Sequence, residues 1–514
     1  MITDFLLTSI QSDGGILTDL ACLEWHIAGR GTLKTYDVGI IGGGIVGCAI
    51  ARELSKYKLD IAVFEAKTDI GAGATRGNGG FIHSGYDPEP GTLKALLNVQ
   101  GCSMYPQLAE ELGFPYRRTG AMVVGFDEKD LDYIKNLYKK GKQNGVPDLE
   151  VISGERIFRL EPHADRKIKY ALYAPNAAVT EPYLTTIAFM EHAMLNGVDL
   201  FRSCEVQGIS PGKIFRLNTT KGEYGARYLI NAAGIRGDEV SDMAGAESFH
   251  LISRHGELII FDKSYGIQMN MSLFPIPTEV SKGITIGTKI SGNPSLGSTS
   301  VVMEKGFGEN TQEGISQLMN GAVKSAPDIK DCKVIRMFSG ERAVMEECPH
   351  DFYIRPSTKI KNLIQVVGIQ SPGIASAPAI AVYVSDLLKA LGMKMEVDEN
   401  FRPANRLPRR FAELTPEEQE EKIKRNPAFG RMVCRCEMVT EGDILEAIHS
   451  PAGANTIGGV KRRTRAGMGR CQGGFCQQRV IELLSRELGL NPWEVLLEED
   501  GSNPLVAALK EGDN

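Results

Sequence analysis

The stretch Tyr36–Glu65, YDVGIIGGGIVGCAIARELSKYKLDIAVFE, decides the fold. Tyr36–Ile41 is a short apolar run of strand type. Gly42-Gly43-Gly44-Ile45-Val46-Gly47 follows, and an apolar helix continues to about Lys56. Asp60–Phe64 is a second strand, with Glu65 at its end, so the unit closes within 30 residues, the size of a βαβ element. Gly42, Gly44 and Gly47 give the pattern G-x-G-x-x-G. The first glycine permits a tight turn, the second lets the backbone approach a pyrophosphate, and the third lets helix and strand pack closely. The helix N-terminus offers free N–H groups to that pyrophosphate. Glu65 lies 23 residues after Gly42, where a carboxylate accepts hydrogen bonds from ribose hydroxyls. Strand, helix, strand and acid together predict a dinucleotide site.

Outward from this unit, Gly71–Gly85 (GAGATRGNGGFIHSG) is a second glycine-rich loop, carrying Thr75, Arg76 and Asn78. A second loop so soon after Glu65 suits a cofactor larger than NAD and argues for FAD. Val198–Val206 and Tyr228–Asn231 read as further strands. Val206, and Ala233 and Gly234 in the small-residue turn NAAG, are the expected cofactor contacts there. Gly368–Ile374 (GIQSPGI) precedes a helix through Val384. Gly373 and Ile374 at its start would face the electron-rich pyrimidine edge of a flavin with free backbone N–H groups.

The chain of 514 residues is long enough for about three or four domains. Hydrophobic residues at 42% and charged residues at 24% exclude a disordered chain, a fibrous repeat and a polytopic membrane protein. Lys+Arg 58 against Asp+Glu 64 leaves a net charge of −6, which points to neither nucleic acid nor an acidic membrane surface. Residues 1–34 read as an extension. They carry Asp4, Asp13, Asp19 and Glu24 and no Lys or Arg before Arg30, unlike an export signal. Leu363–Ser385 is uncharged over 23 residues, yet Gln365, Pro372 and Pro378 make it a strand, loop and helix rather than a membrane span. A cytoplasmic location is expected, peripheral to a membrane at most through a partner.

The expected organisation is α/β. Residues 35–400 form an oxidoreductase unit in which a discontinuous Rossmann-type FAD domain holds an inserted antiparallel-sheet substrate domain, mainly 93–150 and 251–344. Within it, Thr180 reads as the N-cap of a helix Glu181–Asn196 that stops at Gly197. Residues 401–431 form a linker, in which Thr415-Pro416-Glu417-Glu418 is a capping box. A small helical module spans 432–490. The tail, 491–514, starts a short helix at Asn491-Pro492 and then fades into polar residues.

Six of the ten cysteines are scattered singly (Cys22, Cys48, Cys102, Cys204, Cys332 and Cys348) and read as small buried side chains in a reducing compartment. The other four fall in the module as C-x-C (Cys434, Cys436) and, after 34 intervening residues, C-x4-C (Cys471, Cys476). The tight first pair fits a structural zinc knuckle poorly, whereas four thiolates on two arms suit a [2Fe–2S] cluster. Lys461, Arg462, Arg463 and Arg465 crowd the second pair and are expected to stabilise the cluster's negative charge.

The flavin-site pieces, in this order over about 360 residues, resemble the D-amino-acid-oxidase-like flavoprotein superfamily. Within it they are most similar to the FAD-dependent glycerol-3-phosphate dehydrogenases, especially the large catalytic subunit of the anaerobic type. Asn78–Gly101 resembles the L-2-hydroxyglutarate dehydrogenases almost as well, and Thr464–Cys476 (TRAGMGRCQGGFC) resembles the bacterioferritin-associated-ferredoxin-like [2Fe–2S] domain. The resemblance implies oxidation of an anionic substrate, sn-glycerol 3-phosphate, to dihydroxyacetone phosphate. Electrons would pass through the cluster to an electron-accepting subunit, itself membrane-associated, or to the quinone pool, with no membrane span in this chain. A 2-hydroxy-acid dehydrogenase, an opine or amine dehydrogenase subunit and a substrate-free redox carrier stay open as alternatives. By the same resemblance, Arg342 in Ser339-Gly340-Glu341-Arg342 anchors the anion and His83 lies near the flavin. His255 is a second histidine candidate, with Glu257 competing for its place. The proton acceptor stays open, and Arg254 and Lys289 are further cations that read more readily as surface residues or as residues behind the site.

Overall fold

In the computed structural model, residues 33–507 are described apart from 265, 278–282 and 307. Residues 1–32 of the expected extension and 508–514 of the tail lie outside the described residues. The strand that leads into the glycine motif, Thr35–Ile41, is central to an eight-stranded sheet. Its parallel part runs in the order Leu363–Val367, the end of Gly222–Asn231, Thr35–Ile41, Ile61–Phe64, Asp199–Phe201. Val38, Ile40, Val63 and Ile230 are buried, as befits strands covered on both faces. Ile41 is in register with both Phe64 and Asn231. Gly42, Glu65 and Ala232 therefore leave the sheet side by side, at the carboxyl ends of parallel strands where this sheet type opens a ligand crevice.

Helices Ile45–Leu54, Leu93–Leu112, Pro182–Leu195 and Gly373–Ala390 pack together around the main core. Among the described residues, Gly373–Ala390 is the one helix long and apolar enough to cross a membrane, but 67% of that apolar stretch is buried inside the protein. It is a core helix, preceded by the strand and loop expected from Leu363. One helix start differs from the sequence reading. Thr180 ends the strand Ala178–Thr180, Glu181 is the N-cap, and the helix begins at Pro182. Pro182 fits because the first helical position has no N–H bond to lose.

The second sheet has nine strands: Val301–Met303, Leu251–Phe261, Pro294–Gly297, Thr285–Thr288, Ser272–Pro275, Ala121–Gly125, Tyr170–Ala174 and Glu150–Ser153 in order, with Val334–Met345 along Leu251–Phe261. It is antiparallel except where Ser272–Pro275 meets Ala121–Gly125 in parallel. That junction joins two segments distant in sequence, and two of the strands lie at and beyond residue 150.

The linker carries the helix Pro416–Arg425, whose Thr415 and Glu418 form the reciprocal capping box. The cysteine module then packs Glu441–His449, Ile457–Thr464 and Gln477–Leu488 around Ile444, Val460, Val480 and Leu484. The tail does not fade after its short helix Pro492–Glu494. Leu496 and Leu497 accept backbone hydrogen bonds from Ile457 and Gly458, at 3.0 and 2.8 Å, so the chain folds back onto the module.

Candidate active site and electron-transfer centre

A cavity of about 470 Å³ runs from the glycine motif to the second sheet, and both sheets supply its walls. Its first end is built from backbone packed too closely for side chains. A Cβ on Gly42, whose φ is +110°, would meet Ala232 O at 2.3 Å, and one on Gly47 would meet Gly42 O at 2.0 Å. Around Gly44, only Thr75 Oγ1 at 3.7 Å would lie near, which leaves its backbone open to the cavity. Glu65 accepts from Gly43 N at 2.7 Å and from Lys67 N at 2.8 Å. Burial pushes its carboxyl pKa up, against the pull of those two N–H groups. Thr75 Oγ1 accepts from Ile45 N at 3.1 Å and so ties the second glycine loop to the helix start. Asn78, Val206, Ala233, Gly234, Gly373 and Ile374 also line the cavity. The last two are held by Tyr105, whose hydroxyl donates to Ile374 O at 2.6 Å, and by Gly101, where a Cβ would meet Ala375 O at 2.1 Å. Nothing local in the sequence marks Tyr105 for this duty.

At the other end stand His83 and Arg342. His83 lies 5.5 Å from the Phe274 ring, between centroids, and burial lowers its pKa below the ordinary 6.5 despite Asp87. Arg342 donates to the carbonyls of Arg254, His255 and Thr299, at 3.2, 3.3 and 2.5 Å. Across the two strands it is in register with Arg254, and Gly256 leaves room for the guanidinium, since a Cβ there would meet it at 2.5 Å. Burial first, and Arg254 second, lower the Arg342 pKa to about 10. It stays cationic at neutral pH, its hydrogen-bond partners among the described residues are carbonyls and no carboxylate, and it faces the cavity. Two candidates stand elsewhere. His255 is buried behind the wall, with Nε2 3.0 Å from Glu309 O. Arg76 turns outward to Glu498 at 3.2 Å.

The four cysteines of the module stand as two cross-arm pairs. Cys436 and Cys471 are 3.9 Å apart at Sγ, and Cys434 pairs with Cys476. The hydrogen bond from Cys476 lowers the Cys434 pKa to about 6 and raises that of Cys476. Among the described residues, no three His, Cys, Asp or Glu gather around one point as a single ion would require. Two pairs suit a two-iron cluster, with two thiolates per iron. Gly469 is needed beside them, because a Cβ there would meet Cys436 Cβ at 2.2 Å.

Residues 37–387 match the family model described as DAO, FAD dependent oxidoreductase. The chain belongs to that family. Residues 432–486 match the BFD-like [2Fe-2S] binding domain, so this DAO-family member has FAD and a [2Fe–2S] cluster as its cofactors. It is 40% identical over 477 residues to a glycerol 3-phosphate dehydrogenase of Caloramator mitchellensis, covering 92% of this chain and 99% of that one. The FAD-bound L-alpha-glycerophosphate oxidase of Mycoplasma pneumoniae is 26% identical with a TM-score of 0.69, covering 73% and 100%. An L-2-hydroxyglutarate dehydrogenase of Nematostella vectensis is 29% identical over 289 residues, only 52% of this chain and 62% of that one.

In this flavoprotein the basic run beside the cysteines has a different duty from the one its sequence position suggests. Arg463 grips Asp69 with two bonds, at 2.7 and 2.9 Å, and Arg462 reaches the same carboxylate at 3.0 Å and Glu498 at 2.7 Å. Burial alone would raise the Asp69 pKa, but Arg463 and Arg462 overcome it and bring it to about 2. Arg465 bonds Glu437 at 2.9 Å, Glu181 at 3.4 Å and Asn293 at 3.2 Å, joining the module to both larger units. It adopts φ +73°, which costs a side-chain-bearing residue about 1 kcal/mol and is retained where the surroundings fix it. The expectation that these arginines serve the cluster's charge is therefore corrected: their charge is engaged by carboxylates, Asp69 and Glu181 across the junction and Glu437 and Glu498 on the module's own side. Lys461 is the exception, with no carboxylate hydrogen bond of this kind among the described residues, and burial lowers its pKa to about 8. Lys289 completes the junction from the cavity side, donating to Asn78 O and Gly79 O at 3.2 and 2.7 Å. Nothing in the sequence marks Asp69, Glu181 or Glu437, beyond the general need of buried arginines for acids.

Proposed function

We propose that the chain oxidises sn-glycerol 3-phosphate to dihydroxyacetone phosphate and delivers the electrons through its [2Fe–2S] module to an electron-accepting protein. The observation that carries this reading is Arg342, a half-buried cation facing the flavin cavity, whose hydrogen-bond partners among the described residues are carbonyls alone. A phosphate completes that site, and the charge repulsion between Arg342 and Arg254 is relieved by it. When bound, FAD supplies the two-electron acceptor for the hydride leaving C2 of the substrate. Gly42, Gly44, Glu65, Thr75 and the start of the helix at Gly373, which line one side of the cavity, would hold that cofactor. Arg342 holds the phosphate so that the substrate's hydroxyl-bearing carbon points back toward them. His83, neutral at physiological pH because burial lowers its pKa, accepts the hydroxyl proton at a ring nitrogen. His255 is not among the described residues that line the cavity and takes no part in the proposed proton transfer.

Anaerobic titration tests the reading. Glycerol 3-phosphate should bleach the flavin absorbance, followed by the bands of the cluster. Bleaching by L-2-hydroxyglutarate and not by glycerol 3-phosphate would move the chain to the hydroxy-acid branch.

A further inference from the structure

We propose that the exposed face around Cys436 and Cys471 is the docking surface for an acidic one-electron carrier protein. The inference rests on the module being the electron outlet. The cysteine site is asymmetric: Cys434 and Cys476 are buried, Cys436 is exposed and Cys471 is half-buried. The two loops that carry these cysteines also carry the module's most exposed apolar side chains. Phe475, directly before Cys476, is 91% exposed and Met438 is 51% exposed. Aromatic residues, methionine and arginine are the types enriched at protein interfaces. Exposed apolar side chains grouped on one functional loop pair mark a contact surface more than scattered ones do.

Charge identifies the occupant. On the segments 431–438 and 467–479, every exposed charged residue is an arginine: Arg431, Arg435, Arg470 and Arg479; Arg470 pairs with Asp262, whereas Arg431 and Arg479 share the one buried carboxylate of Glu441 with Arg486, so three arginines meet a single acid there and the surface keeps a positive excess. The one carboxylate on those segments, Glu437, is buried and engaged by Arg465 and Lys263. The chain as a whole carries −6, so this positive rim is a local departure that turns an acidic partner toward the cysteines. A cleft of about 300 Å³ opens between the module and the second sheet, with Cys436 in its wall beside Arg435 and Arg470. A protruding side chain of a protein enters such a cleft, whereas a flat anionic bilayer does not reach it. The surface therefore fits a protein with an apolar centre and an acidic rim.

The test uses the full holoenzyme and two haem proteins of opposite charge, the acidic soluble domain of cytochrome b5 and basic cytochrome c. Both are titrated calorimetrically in the oxidised state, so that binding is read without turnover. Cytochrome b5 should bind and cytochrome c should not, with affinity falling about tenfold between low and physiological salt. R435E and F475S should each weaken binding by about fivefold or more, while flavin bleaching by substrate and the cluster's visible spectrum stay unchanged. Equal binding of both haem proteins would overturn the proposal. So would unchanged affinity in both variants, or binding to phosphatidylglycerol vesicles in place of cytochrome b5. Failure of substrate bleaching would strike the functional reading alone, since the binding titration needs no substrate.

Discussion

The glycine cradle and the module junction hold the molecule's two redox sites by opposite means. The cradle is steric. Gly42, Gly47 and Gly101 let backbone lie against backbone at distances no Cβ tolerates, and few ionic groups take part. The junction is electrostatic. Asp69 and Glu181 are buried carboxylates of the larger units that bind arginines of the module: Asp69 takes Arg462 and Arg463, and Glu181 takes Arg465. A steric cradle fails completely when one atom is added. A network of ion pairs fails in parts, because removing one partner strands the other without moving the backbone. Substitutions in the two regions should therefore break different functions.

The largest effect is expected in the cradle. Gly47→Ala drives a Cβ into Gly42 O, 2.0 Å away, and deforms the turn that holds the cofactor. The purified protein should carry no flavin and still show the brown cluster spectrum. Retained flavin would show that the turn yields. Next comes the substrate end of the same cavity. Arg342→Met should lower kcat/KM for glycerol 3-phosphate about a hundredfold, ~2.7 kcal/mol, with FAD content unchanged. Arg342→Lys keeps the charge but not the three carbonyl contacts, and should recover part of the loss. Equal activity in the Met variant would remove the anion site from the mechanism.

These two regions also differ in how much of them could be read in advance. The cradle is a local structure: strand, turn, helix and acid follow each other within one βαβ unit, so spacing alone places Gly42, Gly47 and Glu65. The same holds for the cysteine pairs, brought together by one small module. The junction is nonlocal. Arg463 and Asp69 are almost 400 residues apart, and no periodicity links them. Proximity in sequence to Cys471 made the basic run look like cluster stabilisation, although burial forced Arg462, Arg463 and Arg465 to find carboxylates wherever the fold supplied them. His255 illustrates the same limit within a strand. It lies one position from Arg254, and a strand sends adjacent side chains to opposite faces, so its exclusion from the cavity follows from register and not from composition.

An intermediate effect is expected at the junction. Asp69→Asn removes the whole charge of the carboxylate that Arg462 and Arg463 share and leaves Arg462 with Glu498 alone, a change of about 3–5 kcal/mol in docking. Flavin bleaching by substrate should proceed at the normal rate while reduction of the cluster slows in rapid mixing. Thermal unfolding should split into two transitions. Unchanged cluster reduction would show that the module is held by its apolar contacts alone. The acid dependence has a definite sign. Asp69 is held at about 2, below its ordinary 3.8, so its contribution is full above pH 4 and disappears as pH falls through 2.

The smallest effect belongs to His83 and is one of pH. Its imidazole has a pKa below 6.5 because burial disfavours the charged form, while Asp87 pulls the other way. The neutral ring is therefore the dominant species at pH 7 and above, and kcat/KM should show no histidine limb there. As pH falls below 6.5 toward the lowered value, the ring gains a proton and loses its ability to accept one, so the rate should drop by up to about tenfold per pH unit. Stability follows the same sense. In that window the unfolded chain binds more protons than the folded one, so stability present above pH 6.5 is lost as pH falls. Asp87→Asn sharpens the assignment without touching the cavity. With the neighbouring negative charge gone, the His83 pKa should drop further and the acid limb should move to lower pH. An acid limb that stays in place in Asp87→Asn, or survives in His83→Gln, would assign the proton to another group.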